Sequence, residues 1–313
     1  AYHSAPAQID LGPWVGSTII VHGTDDQKKK YLPGIATGEA EWCIGYSEPG
    51  AGSDLAAVQT KAVEDGDEYV INGQKIFTSL AHRADYCWLA ARTDPNVPKH
   101  KGISMFVVDM RTPGITVRPL LDLAGAHTFN EVFFDDVRVP RESMVGGKNQ
   151  GWYLILTELD IERTSFGGGV NISARSKRVL EEMVRYAKET KRNGVVLAKD
   201  PLIRRKLAER GVEIEVSRLL AYRLSWMLGQ GVIANYEASV SKLFGSEMAQ
   251  RLANTGMEIL GLYGQLEPGS KWVRLQGWVE RLYLWTVGET IGAGTSEIQR
   301  NIIAMRGLGL PRG

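Results

Sequence analysis

Tyr46-Ser47-Glu48-Pro49-Gly50-Ala51-Gly52-Ser53-Asp54 follows a run of β-formers, Trp42-Cys43-Ile44-Gly45, and packs one Pro, two Gly, two Ser and two acids into nine residues. Pro49 lacks an N–H and each Gly raises the entropy cost of order, so neither a helix nor a central strand continues through them. The stretch is a shaped loop. Gly50 and Gly52 allow a backbone to approach a bulky ligand, and their N–H groups, with the hydroxyls of Ser47 and Ser53, suit phosphate or ring heteroatoms. A surface turn of a β-domain has the same composition.

Outward from the loop, the hydrophobic period is two from Glu41 to about Val145. Thr60 to Val63 and Glu68 to Ile71 flank Glu64-Asp65-Gly66-Asp67, and Asn72-Gly73 reads as a second turn leading into Gln74 to Ser79. Further strands are predicted at Tyr86 to Arg92, Ile103 to Asp109, Ile115 to Leu120 and Asn130 to Val137. No long helical pattern interrupts them, which disfavours a parallel, doubly wound sheet and predicts an antiparallel β-domain. From Trp152 onward the pattern is helical. Helices are expected over Arg175 to Arg192, closed by Asn193-Gly194, and from Asp200-Pro201, an N-cap with Pro at the first helical position, to about Leu228. Two more run from Val232 to about Leu260 and from Ser296 to Arg306, and four long helices with short loops make a bundle. Before Glu41 only short helical pieces occur, one capped by Asp25 and ending at Pro33-Gly34. The expected organisation is α+β and multidomain: residues 1–41 a remnant of a helical domain, 42–148 a β-domain, 149–313 a helical bundle.

Lys plus Arg is 37 and Asp plus Glu is 36, so no global field gathers nucleic acid or an anionic membrane. Cys43 and Cys87 both sit in strand-like, apolar text. Buried free thiols suit a reducing compartment, although the two could also pair. No apolar run approaches the ~20 residues that span a bilayer and no secretory leader is visible, so a cytoplasmic location is expected. The five His residues are never spaced as ligands on one helix face, and Gly167-Gly168-Gly169 follows a helical run instead of a strand. Neither a zinc or iron site nor a dinucleotide fingerprint is expected.

Three stretches remain in order: the loop at Tyr46, Lys75-Ile76-Phe77-Thr78-Ser79 at a strand end, and Gly292-Ala293-Gly294-Thr295-Ser296-Glu297-Ile298-Gln299-Arg300-Asn301. With Phe129-Asn130-Glu131-Val132-Phe133-Phe134-Asp135-Asp136-Val137-Arg138-Val139-Pro140, Asn149-Gln150-Gly151-Trp152 and Leu159-Asp160-Ile161-Glu162-Arg163, the chain resembles the acyl-CoA dehydrogenases from about His22 to Leu310. These are FAD-dependent enzymes with an N-terminal helical domain, a central β-domain and a C-terminal four-helix bundle. The resemblance implies further helices before Ala1, so the chain is expected to lack most of the N-terminal domain.

The resemblance implies FAD contacts from Tyr46 and Ser47 along the flavin ring and from Gly52 and Ser53 after the bend, with Ser53 also near the thioester. Phe77 stands where the family usually stacks a Trp, and Ser79 where it places a Thr. Phe keeps a π-face and Ser a hydroxyl. A core aromatic and a capped strand end are the plain alternatives. Thr295 and Gln299 keep the flavin-facing pattern, and Thr295-Ser296-Glu297-Ile298 equally reads as a helix start. Many members carry the catalytic Glu immediately before the Gly-Thr of the C-terminal motif; here that position is Ala293. A minority, including isovaleryl- and long-chain acyl-CoA dehydrogenases, place it in a Leu-Asp-Leu-Glu-Arg-like motif, which makes Glu162 the candidate base. The plain alternative is a solvated helix-surface acid. Arg163 and the Ala293 backbone N–H are candidates on the substrate side.

Two departures concern the FAD pyrophosphate, which the family completes from a neighbouring subunit. Thr190 replaces an Arg and Glu258 replaces a Gln, although Arg192 lies near the first position. The expected activity is α,β-dehydrogenation of an acyl-CoA with an electron-transferring flavoprotein as onward partner, in a homodimer or homotetramer. The alternatives are an FAD-binding or scaffolding subunit of a heteromeric dehydrogenase, and a related flavin oxidase or hydroxylase.

Overall fold

The computed structural model describes residues 11–164, 169–232 and 234–311, with the side chains of residues 160–171 outside the described residues. Packing divides the chain into two compact units, Ala1–Ile161 and Glu162–Gly313.

The first unit opens with α1 (Gly12–His22) and α2 (Asp25–Thr37). The cap of α2 is Thr24, one residue before the expected Asp25: its hydroxyl accepts from the Gln27 N–H at 3.2 Å while the Gln27 side chain accepts from the Thr24 N–H at 3.0 Å. The helix also runs through Pro33 and ends at Gly38, whose left-handed φ of 71° lets its N–H reach Gly34 and Ile35.

The strands are β1 (Trp42–Gly45), β2 (Lys61–Asp65), β3 (Glu68–Lys75), β4 (Tyr86–Arg92), β5 (Ile103–Asp109), β6 (Ile115–Leu120), β7 (Phe129–Pro140) and β8 (Met144–Val145). They form one sheet in the order β6-β7-β3-β2-β4-β5-β8, with β1 also on β4. The sheet is mostly antiparallel, as expected, but β1 pairs with β4 in parallel over four residues and β2 touches β4 in parallel at Lys61 and Arg92. Forty residues separate β1 from β4, enough for the crossover that a parallel pair requires. β4 is buried on both faces. Trp88 and Ala90 enter one core with Val15 and Ile19 of α1, while Cys87, Leu89 and Ala91 enter a second with Tyr69, Ile71 and Phe106.

The pair Asn72-Gly73 corrects the expected turn. β3 continues straight through it, and the register against β7 shifts between Ile71 and Gly73 because β7 bulges there, with Asp135 and Asp136 opposite Asn72. Asn72 donates from Nδ2 to Asp136 Oδ1 and accepts the Asp136 N–H at Oδ1, both at 2.9 Å, so its side chain ties β3 to the bulged part of β7 instead of closing a hairpin.

α3 (Gly151–Thr164) joins the two units in sequence. In the second unit, α4 (Gly169–Glu189), α5 (Pro201–Gly229), α6 (Tyr236–Leu260), α7 (Trp278–Glu289) and α8 (Ser296–Ile302) follow. Met183, Ile203, Leu207, Ile214, Met248, Leu252 and Ile259 form their common core, against which Trp278 of α7 packs. Asp200 caps α5 by accepting from Leu202 N–H at 2.8 Å. The helix expected to reach Arg192 stops at Glu189, and Asn193 and Gly194 (φ 51° and 81°) turn a two-stranded ribbon, β9 (Lys191–Arg192) with β10 (Val195–Val196). α7 had no counterpart in the sequence reading.

Candidate active site

Three groups of residues in the first unit hold the loop after β1. Glu48 and Ala51 exchange both backbone hydrogen bonds at 3.0 Å, so Pro49-Gly50 forms the tip of a tight turn. The Glu48 carboxylate is buried and accepts from Gln59 N–H (2.6 Å), Thr60 N–H (2.9 Å) and Lys75 Nζ (2.7 Å). Lys75, fully buried at the end of β3, also donates to the Tyr46 carbonyl at 3.1 Å. Burial would raise the Glu48 carboxyl, but the Lys75 ammonium and the hydrogen bonds outweigh it and the group titrates below its ordinary 4.5. Burial depresses Lys75, with Glu48 opposing. Behind the turn, Arg92 donates from Nη2 to the Ala56 and Val58 carbonyls at 2.6 and 3.1 Å. Neither Glu48 nor Lys75 was a candidate on sequence. The available signal was Lys75 standing on the inward parity of Tyr69 and Ile71.

Within the loop, the Tyr46 ring is buried and its hydroxyl accepts from Trp88 Nε1 at 3.0 Å, so what this residue presents outward is backbone. Ser47 is half-buried, and its carbonyl accepts from Ile76 N–H at 2.9 Å, which ties the loop to the strand end. Gly52 and Ser53 are exposed. A Cβ at Gly50 or Gly52 would meet nothing within 4 Å and neither has a left-handed φ. Nothing in the fold therefore requires glycine there, and the open space fits a ligand lying close to the backbone.

Beyond Lys75 the chain bends sharply. Phe77 (φ 58°) and Leu80 (φ 60°) both hold the left-handed conformation that bulky residues avoid. Between them Thr78 is pinned by its N–H to the Asn130 carbonyl and its carbonyl to Asn130 Nδ2, each at 3.0 Å. The Phe77 ring is 59% exposed and meets Phe129 edge-on at 6.2 Å, so the plain alternative of a core aromatic does not describe it. Ser79 is half-buried. Strained backbone of this kind persists where the surroundings over-determine it, often at ligand clamps.

In the second unit the C-terminal motif folds on itself. Ala293 (φ 54°) and Gly294 (φ 88°) are both left-handed, and their carbonyls accept from Gln299 Nε2 at 3.0 and 3.1 Å. Lys242 Nζ also donates to the Gly294 carbonyl at 2.8 Å. The Gln299 side chain is fully buried, with Oε1 lacking a partner among the described residues, and Thr295 caps α8 through Ile298 N–H at 3.2 Å. Thr295 and the buried Ser296 line a cavity of about 400 Å³ with Glu247, Arg251, Thr290 and Arg300. Arg192, on the ribbon, donates to the Ile259 carbonyl at 2.6 Å, and the exposed Glu258 pairs with Lys206. The backbone of Glu162 and Arg163 belongs to α3, but their side chains lie outside the described residues.

In the first unit, an exposed aromatic face, two half-buried hydroxyls and an open glycine backbone fit a planar, phosphate-bearing cofactor; the second unit, taken by itself, holds a buried amide oxygen without a partner among the described residues. Among the described residues, no group of three or more His, Cys, Asp and Glu could hold a metal ion and no helix is long and apolar enough to cross a membrane. Cys43 and Cys87 are free, buried and adjacent in register across β1 and β4.

The family profile for the acyl-CoA dehydrogenase middle domain matches residues 43–137, and that for the C-terminal domain matches residues 149–308. Acyl-CoA dehydrogenase FadE29 of Mycobacterium tuberculosis is 41% identical over 299 residues, covering 95% of this chain and 75% of that protein. The Tcur3481-Tcur3483 steroid ACAD structure superposes with a TM-score of 0.88 at 40% identity, over 96% of this chain and 76% of the other. The ChsE4-ChsE5 complex from Mycobacterium tuberculosis gives 0.88 at 41% identity over the same shares. The chain belongs to the acyl-CoA dehydrogenase family, whose members are FAD-dependent flavoprotein oxidoreductases.

Proposed function

We propose that the chain catalyses FAD-dependent α,β-dehydrogenation of an acyl-CoA thioester, with Glu162 as the base. The observation that carries this reading is Ala293: a residue with no proton-accepting group stands at the usual base position, while Glu162 occupies the alternative motif on α3. FAD, when bound, supplies the ring that accepts the β-hydrogen as hydride. The chain's own residues do the rest. Ser47 and Ser79 orient the ring through hydroxyl and backbone, Phe77 covers it, and Gly52 and Ser53 lie along its phosphate side. Thr295 and Gln299 serve the cofactor from the C-terminal motif. Glu162 removes the α-proton once apolar walls and bound substrate bring its pKa toward neutrality. The Ala293 N–H polarises the thioester oxygen, and Arg163 supports the substrate side. We place the domains at 1–41, 42–148 and 149–313. The free, buried thiols suit a reducing, cytoplasmic setting, and an electron-transferring flavoprotein is the proposed electron acceptor.

The test is anaerobic titration of the purified flavoprotein with a panel of acyl-CoAs that includes polycyclic side chains, followed at the flavin bands. Wild type should bleach, and Glu162→Gln should keep FAD and lose bleaching at least ~100-fold. An active Glu162→Gln protein would sink the assignment.

A second reading is favoured by the two solved relatives described by paired names, Tcur3481-Tcur3483 and ChsE4-ChsE5. In it the chain is one subunit of a heteromeric dehydrogenase. A homo-oligomer with one FAD per chain in native mass spectrometry excludes it, whereas substoichiometric FAD restored by a second dehydrogenase chain supports it.

A further inference from the structure

Asn130 is fully buried on β7 and uses both protons of its amide and one acceptor position of Oδ1. Nδ2 donates to the Thr78 carbonyl at 3.0 Å and faces His82 Nδ1 at 3.2 Å, while Oδ1 faces His127 Nε2 at 2.8 Å. The two imidazoles stack with centroids 3.9 Å apart and planes 25° from parallel. With Asn130, Met110, Arg111 and Pro119 they line a cavity of about 320 Å³.

Hydrogen-bond accounting fixes the protonation of this cluster. The Thr78 carbonyl can only accept, so the amide atom beside it must be Nδ2. The second proton of Nδ2 then points at His82 Nδ1, which must be bare, and His82 is the neutral Nε2–H tautomer. Oδ1 in turn requires a proton on His127 Nε2. Protonating His82 sets N–H against N–H and stacks a cation on the other ring. An amide flip relieves that clash only by turning Oδ1 toward the Thr78 carbonyl, oxygen against oxygen. The carbonyl released belongs to the residue between Phe77 and Ser79, whose left-handed neighbours Phe77 and Leu80 have strain to relieve.

We propose that Asn130 is a positioning residue for the flavin-facing turn Phe77–Ser79, and that neutral His82 and the Nε2–H of His127 hold its amide in the working orientation. This rests on the reading of Phe77 and Ser79 as flavin contacts. The groups facing His82 are His127 from the loop before β7, Arg83 beside it in sequence, which is paired with Glu41, and Arg111 across the cavity. Burial and then His127 depress His82 below its ordinary 6.5, and Arg83 adds to this, whereas Glu41 opposes; the Asn130 N–H donated to the bare Nδ1 also favours the neutral ring. A histidine depressed in the folded state stabilises it while neutral, above 6.5, and that contribution is lost as pH falls through the folded value. The turn is therefore gripped at neutral pH and released in acid.

The experiment follows two signals from pH 8 to 5 in the FAD-loaded protein: the flavin absorption envelope, and the Thr78 and Leu80 amide resonances beside the imidazole carbon resonances of His82 and His127. In wild type both amides and the flavin bands shift with the His82 midpoint, and the Thr78 amide loses roughly fivefold of its exchange protection. His82→Asn, whose Oδ1 accepts from Asn130 without titrating, keeps the neutral-pH spectrum and loses the transition. Asn130→Asp, an acceptor beside the Thr78 carbonyl, shows the released spectrum already at neutral pH. Amides that ignore His82 titration, or an unchanged transition in His82→Asn, overturn the inference. Amides that follow His82 while the flavin bands stay fixed leave the Asn130 coupling standing and overturn the placement of Phe77 and Ser79 against the flavin.

Discussion

Lys75 sits at 0% side-chain exposure with its ammonium 2.7 Å from Glu48 and 3.1 Å from the Tyr46 carbonyl. Removing one member of a buried pair leaves the other charge uncompensated, which costs about 3–5 kcal/mol. Lys75→Met should therefore lower the unfolding free energy by that much in urea titrations, and Glu48→Gln/Lys75→Met should recover much of it. A double-variant loss equal to the sum of the losses in Glu48→Gln and Lys75→Met would show that the pair is not coupled. The acid limb has a definite sign. Glu48 titrates below 4.5 in the folded chain, so its stabilisation is complete above that value and lost as pH falls through the folded one. Glu48→Gln should flatten the acid limb of wild-type stability between pH 5 and 3, read by circular dichroism. The loop itself was legible, because Pro and Gly interrupt a β-rich run; its support was not. Lysine is rarely buried, and its partner lies 27 residues away, a pairing that only the sheet register creates.

Two Asn-Gly pairs show where element-level signals mislead. Asn72-Gly73 was read as a hairpin turn and is continuous strand in β3, opposite a bulge of β7; Asn193-Gly194 was read as the end of a helix and is the turn of a ribbon. The dipeptide reports a tolerance for unusual φ, and the pairing partners decide which structure uses it. β3 lies between β2 and β7, so its ladder carries the chain past Asn72, whereas α4 has ended at Glu189 before Asn193 is reached. The consequence for substitution differs between the sites. A Cβ at Gly73 would lie 2.5 to 2.8 Å from Thr60, including its backbone Cα, while a Cβ at Gly194 meets nothing within 4 Å. Gly194→Ala should cost about 1 kcal/mol, from the left-handed backbone alone. Gly73→Ala should cost clearly more, with the β2 and β3 amides losing exchange protection. Similar losses in both would mean that β2 moves away freely. The bounds of β4, β5 and β6 matched the sequence reading to the residue, although β4 and β5 are buried along nearly their whole length and do not alternate. α7, rich in aromatics and preceded by glycines and a proline, offered no comparable period.

At the scale of the whole molecule, the two departures in the cofactor grip now have local partners. Arg192 holds the Ile259 carbonyl from the ribbon and Glu258 pairs with Lys206, so the cation near position 190 is engaged and the acid at 258 is partly neutralised. If this region faces the pyrophosphate of a neighbouring subunit's FAD, as the resemblance implies, Glu258 still repels it through solvent. A repulsion of ~1 kcal/mol at a few ångströms in water weakens binding roughly fivefold, and salt screens it. Glu258→Gln should accordingly tighten FAD about fivefold at low ionic strength, measured by the return of free-flavin fluorescence on dilution, and the gain should shrink in molar salt. The same variant loses only an exposed ion pair, worth little to folding, so unfolding midpoints should barely move. An affinity unchanged at low salt would show that residue 258 does not face the phosphates, and the pyrophosphate would then have to be held from surfaces that the family pattern does not identify.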